Sequence, residues 1–195
     1  MIQLSRYREG IPFYDPMCGG GTIAIEAAML AADIAPGLGR FFDFDKWDCM
    51  PIEAGRQARS EALSRRKSIK EPIIFASDID TEMVELCKHN AHLAGVSGAI
   101  QVKKEDMRRF SPREERGVIV TNPPYGERLL DKKEAQALYA DMNALFLPGH
   151  RLYVIAPSEG DFEKHFGHTA DQKRKIYNGM ITCQVFQYFK NLTEN

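Results

Sequence analysis

Apolar positions along the chain fall into two alternating patterns. Short β-rich runs, IPFYD at 11–15, PIIFASDI at 72–79, AIQVKK at 99–104 and GVIVTN at 117–122, alternate with longer segments of helical periodicity. Those segments, GTIAIEAAMLAADIA at 21–35 and TEMVELCKHNAHLAG at 81–95, predict repeated strand–helix units and a mostly parallel sheet with helices on both faces. The alternation continues through a helix around Glu134 to Leu147, a strand RLYVIAP at 151–157 and a short helix near Ser158 to Phe166. The tail differs: KRKIYN and ITCQVFQYF are separated only by Gly179 and Met180, and Asn178-Gly179 is a tight-turn signal, so a terminal antiparallel hairpin is expected. The predicted fold is a doubly wound α/β domain with seven strands. Residues 35–70 interrupt it with a Pro-Gly loop, the aromatic run FFDFDKW and a basic helical segment from about Pro51 to Lys67. They read as an insertion in a single domain spanning 1–195.

Composition narrows the class. With 195 residues, 44% hydrophobic and 27% charged, the chain can bury one sizeable core. A formal net charge of -1 provides no global attraction to nucleic acid or membrane, so a polyanion must use a patch such as Arg56, Arg59, Arg65, Arg66, Lys67 and Lys70. Cys18, Cys49, Cys87 and Cys183 form no CxxC pair, so neither a zinc site nor a disulfide framework is encoded and a reducing cytoplasm fits. No apolar run reaches the roughly 18–20 residues that span a bilayer, and MIQLSRYREG lacks the apolar core of a signal peptide. The expected localisation is cytoplasmic, without a membrane.

In an open α/β sheet, ligands gather beyond the carboxyl ends of the strands. The first such end is DPMCGGGT at 15–22, where three glycines allow close approach of backbone to ligand or, alone, a tight turn without one. The second is SDID at 77–80: Asp78 suits the hydroxyls of a ribose, and Asp80 suits a helix cap. The third is EDM at 105–107, where Asp106 fits either an adenine amine or an exposed turn. Together they favour an adenosine-bearing ligand. A dehydrogenase satisfies the same description, since Gly19, Gly21 and Ala24 match GxGxxA.

The stretch VIVTNPPYGERLL at 118–130 separates these readings. Its apolar strand ends at Asn122, and two prolines without donors force it out of the sheet. A nucleobase amine is a poor nucleophile because its lone pair is delocalised. The Asn122 side-chain oxygen and the Pro123 carbonyl are two acceptors that hold both amine protons, localising the lone pair, while Tyr125 stacks on the base and Pro124 helps keep the loop rigid. A proline-stiffened turn is the plain alternative.

With the order DPMCGGGT, SDID, ED, TNPPYG, the chain resembles the S-adenosylmethionine-dependent amino methyltransferases of the Rossmann type. Within them, DPMCGGGTIAIEAAMLAADIAPGLGR, FFDFDKW, ASDID, TNPPYGERL and KIYNGMITCQVFQYFK resemble the UPF0020-type family of RNA N2-guanine methylases, represented by the ribosomal RNA large-subunit methyltransferases related to the L enzyme. The resemblance implies a class I methyltransferase fold and S-adenosyl-L-methionine as cofactor. It implies that Asp15, Gly19 and Gly21 shape the methionine end of the cofactor site, within a loop that also contains Pro16, Cys18 and Thr22. Asp78 would hold the ribose beside Ile79, Asp106 the adenine beside Met107, and Asn122, Pro123, Pro124 and Tyr125 the target guanine. Glu26 would support the floor of the site or remain a helix-surface glutamate.

Members of that family usually carry a THUMP region and a helix ahead of the first strand, and here only MIQLSRYREG precedes IPFYD. The chain is therefore expected to be a catalytic module without its RNA-binding part, binding ribosomal RNA weakly. Rival readings are methylation of adenine N6 in DNA or of a protein glutamine, which use the same NPPY chemistry, and a nucleotide-binding module without catalysis. His89 and His92 read as a solvated helix face, Cys18 as packing, and FFDFDKW as a small satellite core.

Overall fold

The computed structural model describes residues 1–47, 49, 51–125, 132–159 and 161–190, with Lys132 described by its backbone alone. Strands β1 (Phe13–Asp15), β2 (Ile74–Asp78), β3 (Ile100–Lys104), β4 (Gly117–Thr121), β5 (His150–Pro157), β6 (Gln172–Asn178) and β7 (Ile181–Tyr188) form one sheet in the order β3-β2-β1-β4-β5-β7-β6. The pairs among β1 to β5 are parallel, and β7 runs antiparallel to both β5 and β6. The winding direction reverses between β1 and β4, which are neighbours through Phe13↔Val118 and Tyr14↔Ile119. That junction is where an open sheet leaves a crevice.

Burial explains the strand sequences. All five residues of β4 are buried, as expected of a central parallel strand covered on both faces. One face is covered by α2 (Thr22–Ala31) and α4 (Thr81–Leu93): Ala24, Ala27, Ala28 and Ala31 pack against Phe13, Ile74 and Val118. These small side chains let the helix lie close to the sheet. The other face is covered by α5 (Lys132–Asp141) and α6 (Phe162–Phe166), where Tyr139, Phe162 and Phe166 meet Ile119, Leu152 and Phe186.

Three local expectations change. The residues before β1 contain a short helix, α1 (Ile2–Ser5), closed by Arg6 in the left-handed region at φ 49 and followed by Tyr7 edge-on to Phe13 at 5.0 Å. The helix expected to run to Leu147 tightens into a 3-10 turn at Met142–Leu145, because Pro148 disfavours helical backbone at the residue before it. The insertion does form a helix, α3 (Ile52–Arg65), but it has no buried residue. FFDFDKW is likewise no satellite core: Phe41 is 90% exposed and Trp47 58%, while Phe42 and Phe44 stack on each other at 5.4 Å with the Arg59 guanidinium over Phe42.

Candidate active site

The glycine loop between β1 and α2 is pinned at several points. The Cys18 N–H donates to the Ser77 carbonyl at 2.9 Å, and the Gly19 N–H to Asp78 Oδ2 at 2.9 Å. Asn90 Nδ2 of α4 donates to the Gly20 carbonyl at 2.8 Å. Gly19 has φ +50 and Gly21 φ +89, and a Cβ on Gly21 would lie 2.5 Å from Cys87 Sγ. A Cβ on Gly19 would meet nothing within 4 Å, so here the backbone faces open space. These glycines are required for two reasons: backbone direction at both, and helix approach at Gly21.

That open space is a cleft of about 740 Å³ across the carboxyl ends of β1, β2, β3 and β4. Pro16, Met17 and Gly19 line it from the first loop, and Asp78, Ile79 and Asp80 from the second. Asp106 and Met107 line it after β3, and Asn122, Pro123, Pro124 and Tyr125 after β4. Its volume lies in the ~300–1,000 Å³ range of small-molecule sites. A tighter cavity under Tyr14 and Phe75 holds about 60 Å³, too small for a nucleoside.

Asp78 and its neighbour take distinct roles. Asp78 accepts from the Gly19 N–H through Oδ2 and from the Asp80 N–H at 3.0 Å through Oδ1, leaving lone pairs toward the cleft. Asp80 caps α4, accepting from the Glu82 N–H at 2.8 Å. Ile79 is 61% exposed on the cleft wall, an apolar surface for a ligand to cover. Asp106 accepts from the Arg108 N–H at 2.9 Å and from Arg108 Nη1 at 3.1 Å, and the backbone bond, ahead of the guanidinium's charge, lowers its pKa. An amine reaching Asp106 would use the lone pairs that remain.

Asp15 ends β1 in full burial. Burial pushes its pKa up to about 7, against the opposing influence of the Thr121 hydroxyl and the Met17 backbone. Neither Asp15 Oδ1 nor Thr121 Oγ1 completes a hydrogen bond among the described residues, although the hydroxyl lies close enough to favour the ionised acid. Cys18 is also buried. Its thiol is raised in pKa by its hydrogen bond with Cys87 and by burial, which keeps it protonated and unsuited to nucleophilic attack.

Asn122 stands just beyond the last residue of β4, exposed to the cleft, and no described residue bonds its side-chain amide. Tyr125 is held from the far end of the chain. Asn178 Nδ2 donates to the Tyr125 hydroxyl at 2.7 Å, and Cys183 Sγ contributes a weak bond at 3.8 Å. Asn178 itself lines the cleft. The remainder of the NPPYGERL stretch, 126–129, lies outside the described residues.

Of the residues singled out by sequence, Pro16, Gly19, Asp78, Ile79, Asp106, Met107 and the 122–125 segment meet in one cleft. Asp15, Cys18, Gly21 and Thr22 do not line it; they belong to the loop that presents Pro16, Met17 and Gly19 to it. Glu26 is exposed on α2 away from the lining, and His89 and His92 are exposed on α4. Sequence reasoning missed Asn178, because Asn-Gly reads as a turn signal and its reach to Tyr125 crosses 53 positions.

Comparison with known proteins gives a consistent set. Residues 1–187 match the UPF0020 family, described as RMKL-like, methyltransferase domain. The chain is 40% identical over 194 residues to "Putative RNA methyltransferase YpsC" of Bacillus subtilis strain 168, covering 98% of this chain and 50% of that protein. It is 38% identical over 178 residues to the "Ribosomal RNA large subunit methyltransferase K/L" of Shewanella baltica strain OS185, covering 87% of this chain and 25% of that one. The crystal structure of SMU.472, "a putative methyltransferase complexed with SAH", superposes with TM-score 0.90 at 37% identity, over 96% of this chain and 50% of that one. A "predicted N6-adenine-specific DNA methylase" of Listeria monocytogenes superposes with TM-score 0.87 at 37% identity, over 96% and 49%. The chain thus spans about half the length, or less, of the curated relatives it matches.

Proposed function

The chain belongs to the UPF0020 family of RMKL-like methyltransferase domains, and we propose that it transfers a methyl group from S-adenosylmethionine to the exocyclic N2 of a guanine in ribosomal RNA. The observation that carries this reading is the shared cleft: Asn122 and Tyr125 face the same space as Gly19 and Asp78. The relatives named for ribosomal RNA support the substrate class.

The cleft fits the cofactor on its own terms. Gly19 offers backbone with no Cβ in the way, Asp78 keeps acceptor capacity for two hydroxyls, and Ile79 and Met107 supply apolar surface for a flat base. Asp106 would receive the adenine amine, and Asp15, buried outside the lining, would support the methionine end through the loop that carries Gly19. S-adenosylmethionine supplies an activated methyl group on a cationic sulfur that is itself the leaving group.

The protein's own residues then align and localise. Asn122 Oδ1 and the Pro123 carbonyl accept the two amine protons, directing the nitrogen lone pair at the incoming carbon. Tyr125 stacks on the target base, and Pro123 and Pro124 hold the acceptors in place before substrate arrives. We take the 195 residues as one catalytic domain that includes the insertion at 35–70 and binds ribosomal RNA modestly by itself. Among the described residues, no helix is long and apolar enough to cross a membrane.

A second reading, adenine N6 in DNA, has one observation in its favour: the Listeria structure named for that activity. The same acceptors serve that amine. Transfer of radiolabelled methyl to ribosomal RNA, transfer RNA and DNA, followed by nucleoside analysis, tests both. Label in N2-methylguanosine upholds the first reading, and label in N6-methyladenine replaces it with the second.

A further inference from the structure

A second cavity, of about 520 Å³, opens at the other end of the sheet and shares no described residue with the cleft. Arg6, Arg151 and Arg174 line it from α1, β5 and β6. Register places the strand arginines on one face: Tyr153 pairs with Gln187, Gln187 with Gln172, and Arg174 with Val185, so Arg151 and Arg174 flank β7 on the side shown by Tyr153 and Gln187. Arg151 Nη1 donates to the Ser5 carbonyl at 2.9 Å, which ties β5 to the helix whose end holds Arg6. The buried Tyr153 shares this lining with Arg151 and Arg6, whose charges pull its phenol's pKa down against the larger effect of burial.

The charges in this cavity are not balanced. Among the described residues, no Asp or Glu lines it and none of the three arginines has a carboxylate at ion-pair distance. The adjacent acid, Asp171, does not line the cavity: its Oδ2 accepts from the Phe189 N–H at 2.7 Å and the Lys190 N–H at 2.9 Å, and its Oδ1 lies 3.8 Å from Lys190 Nζ. Lys173, next to Arg174 but on the opposite face, is neutralised by Glu163 at 2.7 Å. Three like charges gathered on a protein of net charge -1 raise each other's energy, and an anion between them relieves that repulsion. Guanidinium forks match phosphate oxygens, and Gln172 and Gln187 add neutral donors. The volume exceeds what a bare phosphate needs, and Leu4, Phe189 and the Tyr153 ring supply apolar walls for a sugar or base.

We propose that this cavity is a second binding site, for a phosphate carried on a nucleotide, either free or within an RNA strand. Its position at the amino end of β5 separates it from any target base in the cleft, and its existence does not depend on the methyltransferase reading.

The test uses the 195-residue chain with uridine 5′-monophosphate, uridine and a single-stranded oligouridylate, whose pyrimidine avoids an adenosine site. Calorimetry at low salt is expected to show binding of the monophosphate and not the nucleoside if free nucleotide is the source, and of the oligonucleotide if the backbone is. Arg174→Gln, an exposed strand position, is expected to weaken that binding about tenfold or more. Arg6→Gln, on a separate element, is expected to do the same. Each should make the logarithmic salt dependence of oligonucleotide binding shallower by about 0.7, while S-adenosylmethionine affinity and thermal stability stay at the wild-type value. Equal binding of uridine and its monophosphate, no binding of either phosphate probe, or affinities and salt slopes unchanged in both variants would overturn the proposal.

Discussion

Asn178 donates from its side-chain amide to the Tyr125 hydroxyl at 2.7 Å, so the turn of the C-terminal hairpin holds the aromatic of the motif that follows β4. This contact fixes the plane on which a target base would stack. Asn178→Ala is expected to lower turnover or raise KM for nucleic acid by roughly three- to tenfold, the value of about one hydrogen bond. Cofactor affinity should not move. Steady-state kinetics beside calorimetric titration separates the two, and an unchanged rate would mean that the prolines alone orient Tyr125.

Asp78→Ala is expected to weaken S-adenosylmethionine binding by roughly 1–3 kcal/mol, because it removes a charged acceptor for the ribose and also the anchor of the Gly19 N–H. Calorimetry reads this directly. Wild-type affinity would shift the ribose contact elsewhere, to Asp80 first.

Asn122→Ala has the opposite signature. It should leave cofactor affinity nearly intact and depress turnover by about a hundredfold or more, as for an oriented polar contact made to the reacting group. Normal methylation by a variant that binds cofactor normally would end the amine-holding role.

Asp15 provides a pH test of stability. Its folded pKa, about 7, lies above the ordinary 3.8, so between these values the folded chain binds the extra proton. Its contribution to stability therefore falls as pH rises through that window, and above it a buried charge remains. Asp15→Asn, neutral throughout, is expected to resist urea better than wild type at pH 8 by roughly 1–4 kcal/mol, with the gap closing toward pH 4. Paired urea titrations at several pH values check it; a gap independent of pH would show that Asp15 is not held as described.

Gly21→Ala should cost roughly 2–4 kcal/mol, since it puts a side chain at φ +89 and a methyl 2.5 Å from Cys87 Sγ. Pairing it with Cys87→Ala is expected to recover part of that loss and leave the backbone portion. Full recovery would place the whole cost in the clash.

Much of this architecture is local information. The parallel strands and their helices are legible as runs such as GVIVT and the alanine stripe of α2, because burial on two faces or one leaves a period that a short window contains. The Asn178-Gly179 turn, the Asp80 cap and the extended exit at Asn122 are legible for the same reason: each depends on the conformational preferences of a few adjacent residues. The FFDFDKW run is where that reasoning failed. Aromatic content suggested a core, but burial requires an apolar surface to pack on, and α3, which has no buried residue, meets Phe42 with the Arg59 guanidinium instead.

The sequence by itself therefore determined the elements, the glycine loop and the chemistry available at each strand end. The winding of such a sheet already placed Asn122 in one crevice with the glycine loop, and the pairing of β1 with β4 bears this out; only the tertiary structure decided which side chains from distant elements meet there and elsewhere. Parallel pairing of β1 with β4 brings Asn122 beside a loop about 100 positions earlier, and β7 folding back on β5 carries Asn178 to Tyr125. Arg6, Arg151 and Arg174 converge by the same means. Such contacts leave no period in the chain, because strand order is set by how whole layers bury their faces rather than by the residues that meet at the edges.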